Sequence, residues 1–168
     1  MFISHDRQDF EQTVRAYSPD LYRYAYWLCR DRHLAEDIVQ ESFARAWKAW
    51  SELRDFARAK AWLMTIVRNE CMRSFSRNHA DVETSEVAEA DLPALASFEA
   101  GVETAQLVGL LPLAYREPLL LQVLGGFSCA EIAGMLGTTE GAVMTRLTRA
   151  RQALRKQYEP AQSRRGIK

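Results

Sequence analysis

The sequence predicts an all-α protein with two small helical domains joined by a flexible acidic linker, the C-terminal domain being a helix-turn-helix. Apolar residues recur at helical spacings of three and four, and no stretch shows the alternation of a β-strand. The segment 79–103 contains 7 acidic residues and no Lys or Arg, which is typical of a linker. Within 128–158, two amphipathic stretches are separated by Gly137, which predicts two helices and a tight turn.

Length and charge support this division. A chain of 168 residues suffices for one ordinary domain or two small ones. The formal charge is +2 over 1–78, −7 over 79–103 and +5 over 104–168. A basic carboxy-terminal third behind an acidic connector indicates a nucleic-acid-binding unit. No apolar run is long enough to span a bilayer, and the amino terminus is too polar for a signal peptide, so we expect a cytoplasmic protein without a membrane span.

Cysteine usage argues against metal or disulfide chemistry. Cys29, Cys71 and Cys129 are odd in number, far apart and form no C-x-x-C pair. We therefore expect no disulfide framework, no metal site, no cofactor and no redox role. The sequence also lacks a nucleophile paired with a base and a glycine-rich phosphate loop, so an enzyme is not predicted.

The first domain, 1–78, is predicted to be a series of helices. The helical spacing over 10–29 is interrupted near Pro19, which predicts that Pro19 lies in the first turn of a second helix. The remaining elements are predicted as a polar turn at 30–33, a helix at 34–50, a polar loop at 51–60 and a helix at 61–75.

The second domain, 104–158, is predicted to begin with a short helix over 104–111. Pro112 marks the start of the next helix, and Pro118 is expected to kink that helix or to delay its beginning. Gly125 and Gly126 should end it. The tail, 159–168, is expected to be disordered.

The helix-turn-helix has recognisable end signals. Ser128 and Glu131 have the spacing of a capping box, and Gly137 supplies a left-handed end to the first helix. Along the second helix an apolar stripe recurs at spacings of four, three and four; its members are Val143, Leu147, Ala150 and Leu154. This stripe predicts the buried face.

The opposite face of the second helix is small, polar and cationic. From 139 to 157 there are five cations and one acid, Glu140, which lies in the first turn where the helix dipole favours it. These features favour a recognition helix for the DNA major groove. The alternative from the pattern alone is an ordinary helical hairpin whose arginines keep it soluble.

Several motifs in order carry a family resemblance: LYRYAYWLCRDRHLAEDIVQESFARAWKAW, AKAWLMTIVRNECMRSFSR, the acidic linker, and LPLAYREPLLLQVLGGFSCAEIAGMLGTTEGAVMTRLTRARQAL. Together they resemble a bacterial extracytoplasmic-function (ECF) sigma factor of the sigma-70 family, over nearly all of Leu21 to Leu154. The resemblance implies a sigma region 2 domain at 1–78 and a region 4 domain at 104–158. It also implies three partners, namely core RNA polymerase, promoter DNA as duplex and as separated strand, and an anti-sigma factor.

The resemblance assigns residues of the first domain to two contacts. Asp37, Gln40 and Glu41 would bind core polymerase. The loop 51–60 would capture an unstacked base of the minus-ten element, and the next helix would follow the separated strand. The candidates for minus-ten contact are Phe56, Arg58, Lys60, Trp62, Arg68, Asn69 and Arg73.

In the second domain the resemblance implies contact with the minus-thirty-five element. Ser128 would hold a phosphate, while Arg146 and Arg149 flank the groove. The residues facing base edges would be Glu140, Gly141, Met144, Thr145 and Thr148. Family members often carry Lys or Arg where Met144 stands, and a thioether excludes a bidentate guanine contact from this position.

A second interpretation uses only the helix-turn-helix. The chain would then be a one-component DNA-binding transcriptional regulator that recruits polymerase without joining it. Under this interpretation, substitution of Asp37 and Glu41 would leave activity intact.

Overall fold

The computed structural model describes residues 2–81 and 106–165. Every regular element within these ranges is helical, which confirms the predicted all-α class. The chain divides into two compact units, 1–88 and 89–168. Most of the predicted linker, from 82 onward, lies outside the described residues.

Three helices form the first unit. They are α1 (Phe2–Cys29), α2 (Arg32–Ala49) and α3 (Ala59–Asp81), with two 3-10 turns, Trp50–Glu52 and Phe56–Arg58, between α2 and α3. Each helix packs against the other two. The core contains Leu21, Tyr24, Leu28, Ala35, Ile38, Val39, Ala46, Leu63, Met64, Val67 and Cys71.

Helix α1 differs from the sequence prediction at Pro19. The helix is continuous through this residue, so the prediction of a second helix starting there is wrong. Proline removes the bond to the carbonyl of Arg15, but Arg15 and Pro19 are both exposed, so water can bond that carbonyl. Burial of Leu21 and Tyr24 holds the following turns in place and offsets the lost bond.

The connections of the first unit are tighter than predicted. Arg30 adopts φ 59°, and the Asp31 carboxylate accepts a hydrogen bond from the Leu34 backbone N–H at 3.0 Å, so α2 begins earlier than expected. The predicted loop at 51–60 contains the two 3-10 turns, and α3 extends beyond both predicted ends, 61 and 75.

The second unit is built around its last helix. Residues 106–109 are helical, followed by α4 (Leu113–Val123), α5 (Cys129–Leu136) and α6 (Glu140–Arg165). Helix α6 packs against both α4 and α5. The buried side chains include Val108, Leu111, Leu119, Leu120, Leu121, Phe127, Ile132, Val143, Leu147 and Ala150.

Two prolines of the second unit lie inside helices. Helix α4 begins directly after Pro112, as predicted, and runs through Pro118, so Pro118 does not delay its start. Helix α6 continues through Pro160 to Arg165, whereas the sequence predicted a disordered tail from 159. Extending an existing helix costs far less than nucleating one, because each further residue adds a hydrogen bond.

Gly125 and Gly134 provide a matched stability prediction. A Cβ at Gly125 would lie 2.6 Å from the Leu121 carbonyl oxygen and would overlap the Phe127 ring, whereas Gly134, inside α5, faces open space. Gly125→Ala is expected to destabilise the second unit by about 1–3 kcal/mol. Gly134→Ala should stabilise it by about 0.5–1 kcal/mol. Hydrogen exchange of α6 amides in the full-length protein measures both, and equal protection in the two variants would contradict the prediction.

Candidate functional surfaces

An acidic surface lies on α2. Asp37, Gln40 and Glu41 are all exposed, and their spacing of three and four residues places them on one side of the helix. Ile38 and Val39 are buried against the rest of the first unit. The structure therefore brings the predicted core-binding residues together as one acceptor-rich patch, which we call the α2 patch.

The α2 patch forms one wall of a groove whose other wall is α3. The groove is lined from α2 by Leu34, Asp37, Ile38, Glu41 and Arg45, and from α3 by Glu70, Met72, Arg73, Ser74, Ser76, Arg77 and Asn78. Sequence reasoning missed Arg45 and Glu70. Arg45 pairs with Glu41 at 3.1 Å, and their i,i+4 spacing could have identified this pair.

An aromatic cluster supports the predicted minus-ten loop. Trp50 is 4% exposed and lies at the centre, with ring centroids 5.1 Å from Phe10, 5.5 Å from Phe56 and 6.1 Å from Trp62. Phe56 remains 56% exposed. Trp50 is therefore a core residue on which Phe56 rests, with much of the Phe56 ring facing solvent.

Short-range polar contacts shape the same loop. The Asp55 carboxylate accepts a hydrogen bond from the Ala57 backbone N–H at 3.0 Å and lies 3.6 Å from Arg58 Nε. Both charged side chains are well exposed, so the ion pair is weak in water. Arg58 can consequently leave Asp55 for an anion that it binds more tightly, such as a phosphate.

The candidates on α3 do not form one surface. Trp62, Asn69 and Arg73 are spaced by seven and four residues and share one face of the helix. Lys60 instead turns towards α1, with its Nζ 3.1 Å from Asp20 and 6.0 Å from the Tyr17 ring centroid. Arg68 lies on a different side of α3 from Trp62 and is half-buried.

The helix-turn-helix forms as the sequence predicts. The Ser128 hydroxyl accepts a hydrogen bond from the Glu131 backbone N–H at 3.2 Å, and the Glu131 carboxylate accepts one from the Ser128 N–H at 2.7 Å. Gly137 ends α5 with φ 63°. The Thr139 hydroxyl accepts a hydrogen bond from the Ala142 N–H at 3.1 Å, which caps α6.

One face of α6 is exposed and carries the predicted base-contacting residues. Glu140, Gly141, Met144, Thr145, Thr148 and Arg149 are exposed, and Arg146 is half-buried. Val143, Leu147 and Ala150 are buried on the opposite face. The hydroxyls of Thr145 and Thr148 donate to carbonyls of the preceding turn, at 3.0 and 2.9 Å, and their oxygens still accept. We call this side of α6 the recognition face.

Cations continue along α6 beyond the recognition face. Arg149, Arg155 and Lys156 line a shallow depression together with Gln152. Arg151 lies elsewhere and donates to the Gln122 side chain of α4. The positive charge is therefore spread over the length of the helix, which suits contact with successive phosphates.

The described residues provide no metal centre. No group of three or more His, Cys, Asp and Glu within 2–81 and 106–165 is arranged to hold an ion. The three cysteines are free thiols, Cys71 buried and the other two half-buried. Among the helices of the described ranges, none is long and apolar enough to cross a membrane.

Fold and surfaces together define a helical DNA-binding protein with a helix-turn-helix in its second unit. Residues 13–80 match the family model for Sigma-70 region 2, and residues 102–154 match that for Sigma-70, region 4. The chain is 32% identical over 156 residues to the ECF RNA polymerase sigma factor SigM of Mycobacterium tuberculosis, covering 90% of this chain and 78% of the relative. The chain therefore belongs to the ECF sigma factors of the sigma-70 family.

Further relatives support the same family assignment. The ECF sigma factor SigW of Bacillus subtilis is 30% identical over 168 residues, covering 90% of each chain. The sigma factor RpoE of Bartonella quintana, solved in complex with the anti-sigma factor NepR, is 29% identical with a TM-score of 0.76, covering 90% of this chain and 98% of that one. CnrH, solved with the cytosolic domain of CnrY, is 25% identical with a TM-score of 0.65, covering 90% of this chain and 88% of that one.

Proposed function

We propose that this alternative sigma factor directs promoter-specific initiation through three surfaces of the two units. The observation that carries the proposal is the division of α6 into a buried apolar face and an exposed recognition face. Residues 1–78 would form the region 2 domain, 79–103 the linker and 104–158 the region 4 domain. The family matches at 13–80 and 102–154 support these boundaries.

The α2 patch is the proposed site for core RNA polymerase. Its exposed side chains, Asp37, Gln40 and Glu41, offer several acceptor oxygens within one helical turn. Carboxylates in this arrangement suit arginine or lysine donors on a partner, because charge-assisted hydrogen bonds are the stronger ones. The α2 patch is therefore proposed to bind a basic surface of the polymerase.

Phe56 and Arg58 are the proposed first contacts with the minus-ten element. An exposed ring and an exposed guanidinium in the same 3-10 turn can stack an unpaired base and bind its phosphate. Trp62, Asn69 and Arg73 would continue this contact along one face of α3. Lys60 and Arg68 lie on other sides of the helix, so the proposed contact along this face does not include them.

The recognition face is proposed to enter the major groove at the minus-thirty-five element. Gly141, Met144, Thr145 and Thr148 would approach base edges, with Glu140 beside them. The Ser128 end of α5, Arg146 and Arg149 would bind phosphates and set the register. Met144 supplies an apolar contact suited to a thymine methyl group.

The protein itself performs no chemistry under this proposal. Bond formation belongs to the polymerase, and the sigma factor contributes binding energy that favours the separated promoter over the duplex. We further propose that it acts in the cytoplasm and is held by an anti-sigma factor until released. The structure of the relative RpoE in complex with the anti-sigma factor NepR supports that regulation.

Run-off transcription on a promoter library tests the proposal. Core polymerase is compared with and without the full-length protein, and initiation at a defined set of promoters is expected only when the protein is present. Promoter-specific duplex binding by the protein, without any gain of initiation by core polymerase, would instead favour a one-component regulator.

Phe56→Ala should weaken minus-ten recognition selectively. Loss of a stacked base costs about 1–3 kcal/mol, so open-complex stability should fall roughly tenfold while affinity for core polymerase is retained. Permanganate footprinting of the separated strand and a core-binding titration measure the two effects. Phe56→Tyr, which keeps the ring, is the matched control, and an equal loss in Phe56→Ala and Phe56→Tyr would contradict stacking.

A further inference from the structure

Glu70 is a buried carboxylate held by two arginines from different helices. Its side chain is 4% exposed. The Arg45 Nε of α2 lies 2.6 Å from Glu70 Oε1, and the Arg73 Nη1 of α3 lies 2.7 Å from the same oxygen. Arg45 and Arg73 are themselves 46% and 54% exposed, so each can exchange its partner for another anion.

The contacts continue onto the α2 patch. Arg45 Nε is also 3.1 Å from Glu41 Oε1. Glu41, Arg45, Glu70 and Arg73 therefore form an unbroken line across the groove, which we call the ionic line. Its first member belongs to the proposed polymerase site and its last member to the proposed minus-ten surface.

The two ends of the ionic line are interdependent, because one Arg45 Nε–H is divided between Glu41 and Glu70, and two like-charged guanidinium groups share Glu70 Oε1. A carboxylate with little exposure depends on its cationic partners, because it has lost most of its hydration. Arg45 divides its interaction between Glu41 and Glu70, and Arg73 competes with Arg45 at Glu70. A stronger contact of Arg45 with Glu70 consequently weakens both the Glu41–Arg45 pair and the hold on Arg73.

We infer that Glu70 is a positioning residue that couples polymerase binding on α2 to the availability of Arg73 on α3. When a basic group of the polymerase takes Glu41, Arg45 turns to Glu70, and Arg73 is released towards the phosphates of the separated strand. The inference rests on the proposed function of Glu41 and Arg73. Coupling of this kind is reciprocal, so a change at Arg73 must alter affinity for the polymerase.

The test measures the affinity of full-length variants for core polymerase without DNA. Arg73→Gln removes the competitor at Glu70, draws Arg45 away from Glu41 and should tighten core binding about two- to fivefold. Arg45→Gln frees Glu41 and should also tighten core binding. Glu70→Gln leaves Arg45 with Glu41 and should weaken core binding by a similar factor. Simple destabilisation of the fold would weaken binding in every case.

Two controls separate the coupling from general charge effects. Arg77→Gln removes a cation from the same groove that no described contact joins to Glu70, and it should change core affinity less than Arg73→Gln does. The effect of Arg73→Gln should disappear in the Glu41→Gln background and in the Arg45→Gln background. Both backgrounds alter exposed residues, so they provide the test even if Glu70→Gln fails to fold.

The outcomes distinguish this inference from the proposed function. If Glu41→Gln leaves core affinity unchanged, the assignment of the α2 patch fails and the coupling fails with it. If Glu41→Gln weakens core binding but Arg73→Gln behaves like Arg77→Gln, only the coupling is overturned. Persistence of the Arg73→Gln effect in the Arg45→Gln background would also overturn it.

Discussion

Replacing both Asp37 and Glu41 by arginine is expected to abolish promoter-directed initiation by core polymerase and this sigma factor. Both carboxylates are exposed on the α2 patch, so neither supports the core of the first unit. The substitutions present like charge to a basic partner, add two cations to the helix that carries Arg45 and remove the Glu41 partner of Arg45. Loss of one charged pair at an interface costs about 2–5 kcal/mol. Two carboxylates are replaced, so core affinity should fall at least about a hundredfold.

Run-off transcription and a core-binding titration measure this effect together. The matched control is Asp6→Arg with Glu11→Arg, which makes the same net charge change at exposed acids of α1, outside every proposed surface. The control should retain initiation. Full activity of the Asp37→Arg, Glu41→Arg variant would contradict the assignment of the α2 patch to polymerase binding. An equal loss of initiation in the control would show that the change in net charge alone causes the effect.

Met144→Arg is expected to change the preferred minus-thirty-five sequence. Met144 is 55% exposed on the recognition face and offers no hydrogen-bond donor. An arginine at this position can donate two hydrogen bonds to guanine, and such a contact discriminates against other bases by about 1–3 kcal/mol. The variant should therefore gain about a 5- to 150-fold preference for guanine at one base pair.

A promoter library randomised over the minus-thirty-five element provides the measurement, with run-off transcription as the readout. Met144→Leu is the control, because it keeps an apolar contact and should keep the original preference. If the two variants select the same sequences, Met144 does not face a base edge. A general gain of promoter binding without a new preference would place it against the phosphate backbone.

Local signals predicted the second unit well. The capping box of Ser128 and Glu131 and the left-handed Gly137 depend on neighbouring residues only, and both formed as expected. The apolar stripe on α6 also predicted its buried side, with Val143, Leu147 and Ala150 in the core. Assigning the exposed residues to particular bases or phosphates stays a prediction, because that depends on a bound partner.

Errors arose where packing outweighed a local preference. Pro19 is a helix breaker in isolation, yet α1 continues through it because the following turns are buried. The assignment of Lys60 to the minus-ten surface stays a prediction, but its ion pair with Asp20 could not be read from the sequence because Asp20 lies on another helix. Glu70 continues the buried stripe of Leu63 and Val67 at a spacing of three, but its charge gave no indication of burial.

The separation of roles on α6 has an evolutionary consequence. Gly141, Met144, Thr145 and Thr148 point away from the core, so substitutions there change little of the buried area that stabilises the second unit. Mutations at these positions leave the stability of the fold nearly unchanged, so selection for folding does not remove them. With base contacts as proposed, gene duplicates of this protein would diverge in the genes they switch on through a few exposed positions while sharing one scaffold.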